Sequence, residues 1–175
     1  MMRYAIVYGL AAGGVAVAAI VASIAFDLPD HFHSEWFGYL VMLVALSLIF
    51  VGVKRYRDNE CGGVVGFGRA FGVGLGIAVV AGLIYVAGWE AYVALSGEDY
   101  MADYTAKVLR ELRAEGATAA TIAAKASELR DLTELLRNPL YRLPMVFAEI
   151  FPVGLLVSLI SAAVLRNPRA LPARA

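Results

Sequence analysis

Charge is scarce in this chain, and cysteine and histidine are scarcer. Of 175 residues, 17% are Asp, Glu, Lys or Arg and 61% are hydrophobic, with mean hydropathy +0.70. A soluble domain lies nearer about half apolar and about a quarter charged, so a water-soluble globule is a poor reading. The formal net charge is zero, which removes any global electrostatic case for nucleic acid. Cys61 is the single cysteine. It excludes an intramolecular disulfide and a multi-cysteine metal site. It sits in a polar connector and reads as a free reduced thiol. No serine, cysteine or histidine set pairs a nucleophile with a base, so an enzyme is the least supported class and no cofactor is expected.

Long apolar runs are what the chain does have. Tyr4 to Phe26 is uninterrupted, and about 20 such residues at roughly 1.5 Å each cross a hydrocarbon core of roughly 30 Å. Ser23-Ile24-Ala25 resembles a signal-peptide cleavage site, but the run is longer than a typical signal core and only Arg3 supplies charge. It is taken as the first span. Trp36 to Val53 is the second, stopping at Lys54-Arg55-Tyr56-Arg57. Ala70 to Leu95 is the third, and Leu143 to Leu165 the fourth. Backbone groups in lipid must bond internally, so each run is expected to be helical. The length suits one domain, and 1–175 reads as a single four-span unit.

Short flanks orient these spans. Arg3, then Lys54, Arg55, Arg57 and Arg69, then Arg166, Arg169 and Arg174 lie on one side. The loop between the first two spans has no Lys or Arg. The positive-inside rule places both termini in the cytoplasm. The segment from Gly97 to Arg142 then lies outside. Met101, Tyr104, Val108 and Leu112 recur there at helical spacing, as do Ile122, Leu129, Leu132 and Leu136. An extramembrane amphipathic hairpin follows, broken at Gly116, capped at Thr118 and ended by Asn138-Pro139.

Three stretches resemble a bacterial membrane family catalogued as domain of unknown function forty-one ninety-nine. They are Gly52-Val-Lys-Arg-Tyr-Arg-Asp-Asn-Glu-Cys-Gly-Gly, Val65-Gly-Phe-Gly-Arg-Ala-Phe, and Asn138-Pro-Leu-Tyr-Arg with Phe147-Ala-Glu-Ile-Phe-Pro-Val-Gly. The resemblance implies a four-span membrane protein and carries no activity; the expected location is the bacterial inner membrane.

Glu90 and Glu149 are the sharpest candidate site residues. Each is the only charge inside its span. An ionisable group there costs several kcal/mol unless paired or hydrated. With the termini inside, both lie roughly 8–9 Å from the outer ends of their spans. Matched depth allows a shared proton or cation site facing the bundle interior. The competing reading is that each is satisfied by Tyr, Trp, backbone or Arg142 and only ties helices together. Pro144 and Pro152 flank Glu149 and fit a moving hinge or a static kink.

Gly68, Gly72 and Gly76 recur at four-residue spacing in the third span, with Gly74 and Gly82 beside them. Such a face lets another backbone approach, whether span one with Gly9, Gly13 and Gly14 or a second copy. Gly66-Phe-Gly-Arg-Ala-Phe-Gly has the wrong spacing for a nucleotide loop. Lys54, Arg55, Arg57 and Arg69 read as topology determinants able to meet anionic headgroups. His31 and His33, near Asp27, Asp30 and Glu35, are weak metal candidates, because one short loop rarely supplies a ligand set.

The sequence thus reads as a structural or binding accessory membrane protein, with lipid around it and a second copy or another membrane protein as partner. The alternative is a small proton- or cation-coupled transporter using Glu90 and Glu149. Four spans are few for that, and no inverted repeat is visible.

Overall fold

The computed structural model describes residues 1–25, 35–96 and 100–172. Among these residues every regular element is a helix: α1 Met2–Ala25, α2 Glu35–Glu60, α3 Phe67–Ser96, α4 Tyr100–Ala114, α5 Ala119–Leu136 and α6 Pro139–Leu165. The four apolar runs became α1, α2, α3 and α6. Each is long and apolar enough to cross a membrane, over Met2–Ala19, Gly38–Glu60, Phe67–Leu95 and Pro139–Leu165. His31 and His33 lie outside the described residues.

Helix ends follow local chemistry. The basic run expected to stop the second span does not break α2, which continues to Glu60. Lys54 and Asp58 stand one turn apart there and pair, which supports helix rather than ending it. Gly62 and Gly63 then turn the chain with φ 59° and 86°. Gly116 closes α4 at φ 76°. Its N–H donates to the Arg113 carbonyl and that of Ala117 to the Leu112 carbonyl, the paired bonds of a helix C-terminus ending on a left-handed glycine. The Thr118 side chain caps α5 by accepting from the Thr121 N–H. Asn138 does the same for α6, accepting from the Leu140 N–H at 3.0 Å. Pro139 follows as the first helical residue, where a missing N–H costs nothing. Neither Pro144 nor Pro152 interrupts α6.

The chain forms two compact units. The first holds residues 1–89 and 147–175, and its core is built on small residues. A Cβ at Gly9 would stand 2.5 Å from the Val80 Cβ, and one at Gly13 would stand 2.7 Å from the Ala81 carbonyl oxygen. These glycines bring α1 against α3. On another face of α3, a Cβ at Gly82 would meet the Phe147 ring at 2.5 Å, and Gly74 approaches Ser158. Gly154 of α6 in turn approaches Ala78. Gly74, Ala78 and Gly82 form a four-residue series that lets α6 lie close, running antiparallel to α3. Ser158 and Ser161, both fully buried, give their hydroxyls to the Gly154 and Val157 carbonyls one turn back. The second unit holds residues 90–146, in which α4 and α5 pack on each other around buried Leu129.

Candidate functional site

Glu90 lies near the end of α3 and Arg142 in the first turn of α6, both in the second unit. The Asn138 cap and Pro139 start α6 early enough to make Arg142 helical, which fixes where its side chain departs. Arg142 Nε donates to Glu90 Oε1 at 2.8 Å and Nη2 donates to Oε2. This is the two-pronged pairing that a planar guanidinium makes with a carboxylate. Nη1 reaches the Leu136 carbonyl at 3.4 Å. Both side chains keep roughly a third of their surface exposed, 30% for Arg142 and 28% for Glu90.

Glu149 has a different setting. It belongs to the first unit and is exposed on α6, next to buried Ile150. The interior orientation expected for it is not what α6 gives. On its inner edge it accepts from the Tyr85 hydroxyl of α3, a side chain only 3% exposed. No described Lys or Arg forms an ion pair with Glu149. Pro152 has no N–H, so the Ala148 carbonyl lacks its helical donor.

The basic run sorts into unequal parts. Arg57 is 0% exposed. Its Nε donates to Asp58 Oδ1 at 2.8 Å, Nη1 to the Ala170 carbonyl at 2.8 Å, and Nη2 to the Leu171 carbonyl. Leu171 adopts φ 51°, a left-handed conformation that L side chains rarely take. Arg57 therefore holds the residues after α6 against the end of α2. Lys54 shares Asp58 with it, whereas Arg55 and Arg69 are exposed. Beside this clamp, the Tyr4 hydroxyl donates to Glu60 Oε1 at 3.1 Å, and the Tyr4 ring meets buried Tyr56 edge-on at 5.5 Å. Charge spacing alone could have suggested the Lys54–Asp58 pair. Nothing in it marks the Ala170 and Leu171 carbonyls, since backbone acceptors carry no side-chain signature.

The glycines singled out by spacing lie on the more open side of α3. Gly68 has nothing within 4 Å of where its Cβ would be, Gly72 meets only the Met1 methyl at 3.6 Å, and Gly76 meets Ala5 at 3.2 Å. Among the described residues no group of three or more His, Cys, Asp or Glu could hold a metal ion.

Four long apolar helices, joined between the third and fourth by a helical pair, define a multi-span membrane-protein class by length and composition. The family model described as "Protein of unknown function (DUF4199)" matches residues 7–167, and the chain belongs to that family. No curated protein and no solved structure matches it.

Proposed function

We propose that this protein is a structural or partner-binding accessory protein of the bacterial inner membrane, without enzymatic activity, and with both termini and the Lys54–Arg69 connector in the cytoplasm. The observation that carries this reading is the grip of Arg142 on Glu90. A carboxylate that couples transport must exchange a proton or a cation during its cycle. Glu90 already has a cation, held through two parallel hydrogen bonds from the same compact unit. Freeing it would leave a guanidinium and a carboxylate unpaired in an apolar span, at a cost of several kcal/mol. Ion coupling through Glu90 and Glu149 is thereby the weaker alternative.

Purified protein in sealed vesicles containing a pH-sensitive dye tests the choice. An imposed pH gradient with a potassium diffusion potential should decay no faster than in protein-free vesicles. Gradient decay that requires the wild-type chain and disappears in Glu90→Gln would overturn the accessory reading.

A further inference from the structure

Glu149 shares the outer face of α6 with Pro152, Leu156 and Ile160, residues recurring at three- and four-residue intervals. Leu156 and Ile160 are more than half exposed, as befits a lipid-facing stripe. A carboxyl does not belong on such a stripe, since intramembrane acids face a bundle interior, a water-filled cavity or a partner. Glu149 lies ten residues along α6 from Pro139, roughly 15 Å at 1.5 Å per residue, so it is not a fraying helix end. Tyr85 satisfies one edge of the carboxyl. A carboxylate offers about four acceptor positions, and the carbonyl of the neighbouring exposed residue, Ala148, lacks its usual helical donor. Two adjacent residues of this outer surface thus each carry an acceptor with capacity to spare.

We propose that this face docks a membrane-spanning helix of a different protein carrying a lysine or arginine level with Glu149. The proposal rests on the partner-binding reading above and names the chemistry of the partner. Charge complementarity selects it, because a cation can pair with the Glu149 carboxylate and still has N–H donors left for a free carbonyl such as that of Ala148. A second, parallel copy fits worse. Symmetric packing on this face would set Glu149 against its own counterpart and supply neither with a cation. Nor do the described residues of the first unit offer a Lys or Arg at that level. Gly82 lies against Phe147 and Gly74 against Ser158, so Arg69 lies toward the far end of α6. Lys54, Arg55 and Arg57 precede it across the Gly62–Gly63 turn.

The test uses the full-length protein in zwitterionic phospholipid vesicles with labelled synthetic polyleucine transmembrane peptides, read by energy transfer. One peptide carries a single lysine at the matching depth, one carries leucine there, and one carries the lysine a helical turn away. The matched-lysine peptide should associate about tenfold more tightly than the leucine peptide. Glu149→Gln, at an exposed position that leaves folding intact by circular dichroism, should abolish the preference. Pro152→Ala, which restores a donor to the Ala148 carbonyl, should reduce it. Equal association of all three peptides overturns the proposal, as does a preference that survives Glu149→Gln. Energy transfer between two labelled copies that is lost in Glu149→Gln would make a second copy the occupant and also overturn it. Gradient decay in the same vesicles separates the two claims. Decay lost in Glu90→Gln with the lysine preference intact sinks the accessory reading alone; no preference and no decay sinks the docking face alone.

Discussion

Arg142 holds both carboxylate oxygens of Glu90, joining the start of α6 to the end of α3 within one compact unit. Two residues separated by 52 positions are brought together because Asn138 and Pro139 start α6 a full turn before the apolar run at Leu143 begins. The pair converts two charges costly in an apolar span into one neutral, oriented contact. Its partial exposure keeps it from being a fully desolvated pair, so its worth lies between a surface and a buried ion pair.

The clamp at Arg57 predicts unequal effects within the basic run. Arg57→Met should lose two bonds to backbone carbonyls and one to Asp58, and lower stability by about 2–4 kcal/mol. Limited proteolysis should then cut the chain after Leu165 faster. Arg55→Ala, at an exposed position, should stay within about 0.5 kcal/mol of wild type. Thermal unfolding in detergent measures both. Equal melting temperatures for the two variants would mean that the tail is not held by Arg57.

Close helix approach predicts which glycines tolerate bulk. Gly13→Leu and Gly82→Leu place side chains where the Ala81 carbonyl and the Phe147 ring already stand, and overpacking of this kind costs about 1–3 kcal/mol. Gly68→Leu enters open space and should leave the melting temperature unchanged. A loss at Gly68 as large as at Gly82 would show that a second molecule covers that face.

Topology is tested by labelling Cys61, a half-buried thiol just after α2. A thiol reagent that cannot cross the membrane should label a cysteine placed at Ala117 in intact cells and reach Cys61 only after permeabilisation. The reverse pattern inverts the orientation.

The span pattern was legible because runs such as Ala70–Leu95 have one stable backbone solution in lipid, the helix. Thr118, Gly116 and Asn138-Pro139 were legible because capping chemistry is local. Other features needed distances. Two glycine series share α3, one through Gly68, Gly72 and Gly76 and one through Gly74 and Gly82 with Ala78 between them. Spacing alone does not say which faces a neighbour. The second lies against α6, offset by two residues, or roughly 200° around the helix. Glu149 looked equivalent to Glu90 in depth, but depth does not fix azimuth. One glutamate meets Arg142, and the other sits on an exposed stripe with Tyr85 at its inner edge. Arg57 looked like its basic neighbours because the carbonyls it binds lie 113 and 114 residues further on.

The central claim is that Glu90 is committed to the fold through Arg142. A double-mutant cycle tests it most directly, with stability measured by unfolding in detergent for wild type, Glu90→Leu, Arg142→Leu and the double variant. Each single variant strands the other charge and should lose about 2–4 kcal/mol. The double variant strands neither, and should recover enough of that loss to give a coupling energy of about 1–3 kcal/mol. Losses that simply add, with the double variant as unstable as the sum of the singles, would contradict the account and return Glu90 to the residues available for ion coupling.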